Sequence, residues 1–86
     1  MQSESGYNSV IMEETVLDTT GLTCPMPLLK AKQALNALAP AALLRVYATD
    51  PGSVRDFEVF SRQSGHELLE SKEQDGVFNY LLKKKS

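Results

Sequence analysis

Apolar residues recur at spacings of three and four along Leu28, Ala31, Leu35 and Leu38, while Lys30, Gln33 and Ala37 fall on another side. That period predicts an amphipathic helix, with Pro25 suited to its first position and Pro40 marking its stop. Upstream, Thr15 to Thr19 places Val16 among threonines and reads as a strand that Gly21 halts. Downstream, Leu43 to Thr49 (LLRVYAT) has little polar relief, as expected of a central strand covered on at least one face. Asp50-Pro51 then opens a second helix, with Asp50 as N-cap and proline in the first turn. Val54, Phe57 and Phe60 make the inner stripe of that helix, Val59 lies off it, and Gly65 ends it. His66 to Lys72 and Val77 to Lys83 are extended runs joined by Gln74-Asp75-Gly76, a hairpin signal.

The order is strand, helix, strand, helix, strand, strand. Right-handed crossovers place both helices on one face of the sheet. Inserting the last strand between the second and third gives a mixed four-stranded sheet of order 1-2-4-3, with strand four antiparallel to the others. The expected architecture is therefore an α/β (α+β) two-layer sandwich of βαβαββ topology. At 86 residues the chain has room for one core. Residues 14–86 are expected to form that domain. Residues 1–13 are polar, lack a sustained period and read as a flexible extension.

Composition narrows the function. With 42% hydrophobic and 23% charged residues, this is an ordinary globular chain. Its net charge of -2 argues against direct nucleic-acid binding over the whole surface, because such binding scales with neutralised phosphates. No run approaches the roughly 20 apolar residues that span a bilayer, and the start lacks the basic-then-apolar pattern of a leader. The chain has a single cysteine, Cys24, which can form neither an internal disulfide nor, alone, a structural metal site. A reducing cytoplasm is the expected setting.

The most informative segment is Gly21-Leu22-Thr23-Cys24-Pro25-Met26-Pro27. It puts a thiol where the first strand's loop meets a helix start, whose partial positive charge and unpaired N–H groups favour a thiolate. Pro25 and Pro27 have no N–H and fix φ, so the backbone presenting the sulfur is expected to be stiff. The remaining donors, those of Met26 and Leu28, are expected to face an anion. Free cysteines in general are more often small buried hydrophobes. The flanking prolines and the helix start favour exposure here. Position 27 is proline, so a Cys-x-x-Cys redox pair is excluded.

With Leu17-Asp18, Gly21-Leu22 and Cys-Pro-x-Pro at Cys24 to Pro27, the chain resembles the TusA family, also called SirA-like, of sulfur carrier proteins. Further matches are Thr49-Asp50-Pro51, Arg55-Asp56, Gly65-His66-Glu67-Leu68, Asp75-Gly76 and Tyr80-Leu81, so that the resemblance runs from about Thr15 to Lys83. It implies a carrier rather than a stand-alone enzyme. Cys24 would accept sulfane sulfur as a persulfide from a cysteine desulfurase or a rhodanese. It would then pass that sulfur to a TusBCDE-like or DsrE-like acceptor, as in 2-thiolation of tRNA. Pyridoxal phosphate would belong to the donor, leaving this chain without a cofactor. Met26 stands where the tRNA-thiolation members often carry an acidic residue, and suits an adaptable contact surface.

Arg55 is a candidate for an anion or partner contact at the same end of the sheet as Cys24, weighed against a solvated or Asp-paired arginine. His66-Glu67-Leu68-Leu69-Glu70 lacks the second histidine of a zinc-protease motif, and no metal site is assigned. Lys83-Lys84-Lys85 reads as a solvated tail rather than a basic patch with Lys30 and Lys32. Two other functions compete: a small RNA-binding or regulatory module of the same topology, and a thiol-dependent hydrolase with no identifiable base.

Overall fold

The computed structural model describes residues 14–86, and the expected extension 1–13 lies outside the described residues. Six elements follow one another: β1 (Glu14–Thr19), α1 (Met26–Asn36), β2 (Leu43–Ala48), α2 (Ser53–Ser64), β3 (Glu67–Gln74) and β4 (Val77–Lys83). The sheet order is β1-β2-β4-β3. β1 and β2 run parallel, whereas β4 is antiparallel to both its neighbours. Topology and strand order agree with the expectation from the sequence.

The two layers follow from the period of each element. In β2, Leu44, Val46 and Ala48 share one face by the two-residue repeat of a strand, and all three are fully buried. Tyr80 and Leu82 of β4 join them, and Ala31 and Leu35 of α1 with Phe57 of α2 close the same core. Both helices therefore cover one face. Leu28, Leu38, Val54 and Phe60 pack around the margin of this cluster, so both predicted stripes face inward. Phe57 and Tyr80 stack with ring centroids 4.5 Å apart, in the range where aromatic pairs attract.

On the opposite face Arg45 ties the four strands together. It donates to both carboxylate oxygens of Glu14 in β1 (3.1 and 2.9 Å), and through Nη1 to Glu70 in β3 (2.7 Å) and Asn79 in β4 (2.8 Å). The bidentate geometry suits a guanidinium, and the arginine holds both carboxyls below their ordinary range.

The structure corrects several boundaries. α1 starts at Met26, with Pro25 as its cap residue rather than its first residue, and Pro27 is buried in the first turn. The cause is a tight turn in which the Met26 N–H donates to the Thr23 carbonyl at 2.8 Å. α1 ends at Asn36, before Pro40, because Ala37 and Leu38 donate to carbonyls only three residues back and tighten the chain out of the helix. The cap residue of α2 is Gly52, not Asp50, whose side chain is engaged elsewhere. β3 begins after His66 and contains a register shift between Leu68 and Glu70, which leaves Leu69 outside the ladder and exposed. The hairpin forms where expected, but β3 runs past Lys72 to Gln74, which pairs with Val77, so that only Asp75 and Gly76 turn; both have positive φ (53° and 82°), as a two-residue turn matched to strand twist requires.

The C-terminal lysines are not a wholly solvated tail. The Lys84 backbone pairs with Ala41 and Ala42 at 2.9 Å, and its ammonium donates to the Leu38 carbonyl. Next to it, the Lys85 N–H donates to Nδ1 of His66 at 3.0 Å, which requires that nitrogen to be unprotonated. Burial, followed by the charges of Lys85 and Lys84, holds the His66 pKa below the ordinary imidazole value of 6.5.

Two predictions follow from this packing. The Ser53 and Tyr80 hydroxyls, both buried, share a 2.7 Å hydrogen bond. Ser53→Ala or Tyr80→Phe alone should cost about 1–2 kcal/mol in urea unfolding by stranding the other hydroxyl, and the double variant less than the sum of the two. For His66, the unfolded chain takes up the proton at higher pH than the folded one. Stability should therefore be fully present above pH 6.5 and fall as pH drops below it, and His66→Gln should flatten that part of the stability–pH curve.

Candidate functional site

Parallel pairing of β1 and β2 brings the loops that follow them side by side at one end of the sheet. The first loop is fastened to the second at several points. The Thr19 hydroxyl, buried at the end of β1, donates to the Tyr47 carbonyl at 2.6 Å. The Asp18 carboxylate accepts from both the N–H and the hydroxyl of Thr20 (2.9 and 2.7 Å), an Asx-type turn that starts the loop. Gly21 follows with φ of 82°, a conformation that glycine adopts without a Cβ penalty, and its N–H donates to the Thr49 hydroxyl at 2.8 Å. The Cys24 N–H donates to Oδ2 of Asp50 at 3.0 Å.

Cys24 is exposed, as the flanking prolines and helix start led us to expect. Its sulfur has a partner that the sequence reading did not assign a role: Sγ donates to Oδ2 of Asp56, in the first turn of α2, at 2.6 Å. The space between the two loops is tight. A Cβ on Gly52 would lie 3.1 Å from Asp50 Oδ2 and 3.6 Å from the Cys24 Cβ, so the residue facing the cysteine has to be small.

This environment reverses the expected electrostatics. The helix start favours a thiolate, but its partial charge is spread over a turn. The Asp56 carboxylate is in direct contact. The Asp56 hydrogen bond, then loss of hydration, then the negative charges of Asp56 and Asp50 push the Cys24 thiol above its ordinary value. The Met26 N–H is also not free to face an anion, because Thr23 takes it.

The other candidate residues are dispersed around the sulfur. Pro27 is buried and Pro25 is exposed beside Cys24. Met26 (39%) and Leu29 (43%) expose apolar surface on the start of α1. Arg55 is exposed at the same end, but it is the next residue, Asp56, that reaches Cys24. Asp56 was legible only as half of the Arg55-Asp56 pair, since a contact between two helix starts has no local signal. His66 lies beyond the far end of α2, separated from Asp56 by about 12 Å of helix, so it is not placed to act as a base on Cys24. A cavity of about 440 Å³ between Tyr47, Lys72, Asp75 and Asn79 includes none of Cys24, Asp50 and Asp56. Among the described residues no cluster of three or more His, Cys, Asp or Glu could hold a metal, and no helix is long and apolar enough to cross a membrane.

A small two-layer domain that presents one cysteine between two strand–helix loops is the class these observations define. A family model described as sulfurtransferase TusA matches residues 15–84. The sulfur carrier protein TusA of Allochromatium vinosum is 56% identical over 68 residues, covering 79% of this chain and 90% of that protein. A putative sulfur carrier protein of Neisseria meningitidis is 50% identical over 74 residues, covering 86% of this chain and 100% of that one. Among solved structures, a SirA-like protein of Desulfitobacterium hafniense superposes with a TM-score of 0.74 at 26% identity, covering 84% of this chain and 99% of the other. The chain belongs to the TusA family.

The anchoring of Cys24 can be tested directly. Asp50→Ala should speed hydrogen exchange of the Cys24 amide on the order of tenfold, the effect of losing one hydrogen bond, while core amides of β2 stay unchanged. Measurement by NMR would distinguish this from a general loss of stability.

Proposed function

We propose that this chain is a sulfur carrier that holds sulfane sulfur as a persulfide on Cys24 and relays it between proteins. The observation that carries this reading is the exposed thiol, fixed through its own N–H by Asp50 and flanked by prolines in a member of the TusA family. A carrier has to offer its atom in a set position to partners of different shape, and a braced loop at the sheet end does so.

The transfer is a thiol exchange. Cys24 Sγ bonds to the terminal sulfur of a donor persulfide, and the bond between the donor's two sulfurs breaks. The Cys24 proton goes to the departing donor thiolate, so that R–S–SH and Cys24–SH become R–SH and Cys24–S–SH without net oxidation. A second exchange, with the acceptor's thiol attacking the terminal sulfur, returns Cys24 to the thiol. No cofactor of this chain takes part.

A cysteine desulfurase or rhodanese is the donor in this proposal, and a TusBCDE-like or DsrE-like protein the acceptor. Met26 and Leu29 offer apolar contact beside the sulfur, and Arg55 an exposed cation at the same end. A single unpaired thiol suits the reducing cytoplasm.

Intact-mass spectrometry without reductant tests the reading. After incubation with cysteine and a cysteine desulfurase, the protein should gain one sulfur that dithiothreitol removes. Cys24→Ser should gain none while keeping its circular dichroism spectrum. Loading retained in Cys24→Ser would refute the assignment of the carrier site.

A further inference from the structure

A nucleophilic sulfur relay would be expected to surround its thiol with groups that favour ionisation. Here the contact runs the other way. Asp56 accepts the S–H of Cys24 at 2.6 Å, while Asp50 takes the N–H of the same residue at 3.0 Å. Two carboxylates from the second strand–helix loop and the helix it opens thus face one cysteine.

The charged groups of the surrounding elements do not offset them. The first turn of α1, Met26 to Leu29, carries no basic residue, and Lys30 and Lys32 lie beyond it. Lys32 sits over the Phe60 ring, 5.6 Å from its centre. Asp18 of β1 is occupied by Thr20. Arg55 adjoins Asp56 in sequence, yet the described residues form ion pairs only among Arg45, Lys72, Glu14 and Glu70. Among the described residues, no basic side chain is therefore paired with the Asp56 carboxylate that meets the sulfur. A thiolate at the same place would lose the hydrogen bond and gain two like-charged neighbours.

We propose that Asp56 is a positioning residue that holds the Cys24 sulfur as a hydrogen-bonded thiol between transfers, fixing its direction and restraining its reaction with free electrophiles. This role rests on the carrier reading for its purpose. It accounts for an arrangement that a cysteine tuned only for nucleophilicity would not have. Between delivery of one sulfur and loading of the next, a carrier is exposed as a free thiol to small electrophiles and oxidants, and those reactions proceed through the thiolate. A carboxylate at the thiol lowers the thiolate fraction without burying the sulfur, so the atom remains accessible to a partner protein.

Removing the charge should have a defined sign. Asp56→Asn keeps the size of the side chain but abolishes the repulsion, so Cys24 should ionise at lower pH and react faster below that point. Asp56→Glu keeps the charge. The test is the pH–rate profile of iodoacetamide alkylation of the full chain, followed by intact mass, for the wild type and both variants, with thermal unfolding as a check on folding. In Asp56→Asn the inflection should move to lower pH and the rate at pH 7.5 rise roughly threefold or more, while Asp56→Glu stays near the wild type. An Asp56→Asn profile that superimposes on the wild type would overturn the proposal. So would a wild-type inflection at or below that of the same cysteine in the guanidinium-unfolded chain, a comparison that needs no variant. If the wild type gains no sulfur either from cysteine with a desulfurase or from thiosulfate with a rhodanese, the carrier reading fails, and the purpose assigned to Asp56 with it, even where the profile has shifted.

Discussion

The parallel pairing of β1 with β2 is the constraint on which the functional end of this molecule depends. It lays the two strand–helix connections next to each other, so that the loop carrying Cys24 is braced by side chains of the loop after β2. Open α/β sheets in general present their reactive groups beyond the carboxyl ends of parallel strands, for this geometric reason. The remaining two strands complete the sheet on the other side of β2. Their contribution to the site is indirect, through Tyr80, which packs on Phe57 and hydrogen-bonds Ser53 at the start of α2.

That link joins core to site in a short chain of contacts. Ser53 and Phe57, the two buried residues of α2, fix the position of the helix start against β4. Asp56 lies between them in sequence and is aimed at Cys24 by the same turn. The core thus sets where the carboxylate meets the sulfur, although neither Cys24 nor Asp56 belongs to the core. Gly52 allows the approach, since a larger residue would push against the Asp50 carboxylate that holds the cysteine's own N–H.

The charge pattern around the sulfur separates two properties that a helix start is usually taken to combine. Presentation comes from the prolines, the Thr23 turn and Asp50. Ionisation of the thiol is opposed by Asp56, whose carboxylate accepts the S–H and works against the partial charge of α1. A sulfur carrier needs the first property at all times and the second only when a partner is in place.

The sequence alone determined the order of elements, the strand order of the sheet, both inner helix stripes and the exposed position of the chain's one cysteine. Each of these rests on signals within a few residues of one another: the period of Leu28, Ala31 and Leu35, the Asp75-Gly76 turn, and Cys24 between a strand and a proline-flanked helix start. Only the tertiary structure decided what Asp50 and Asp56 do. Read locally, Asp50 before Pro51 is a helix cap; in the fold its carboxylate reaches a residue 26 positions earlier, and Gly52 serves as the cap residue. Asp56 likewise contacts a residue 32 positions away. The local sequence records a preference for a turn or a helix, but a charge placed across two loops depends on the sheet register that brings those loops together, and no short pattern encodes that distance.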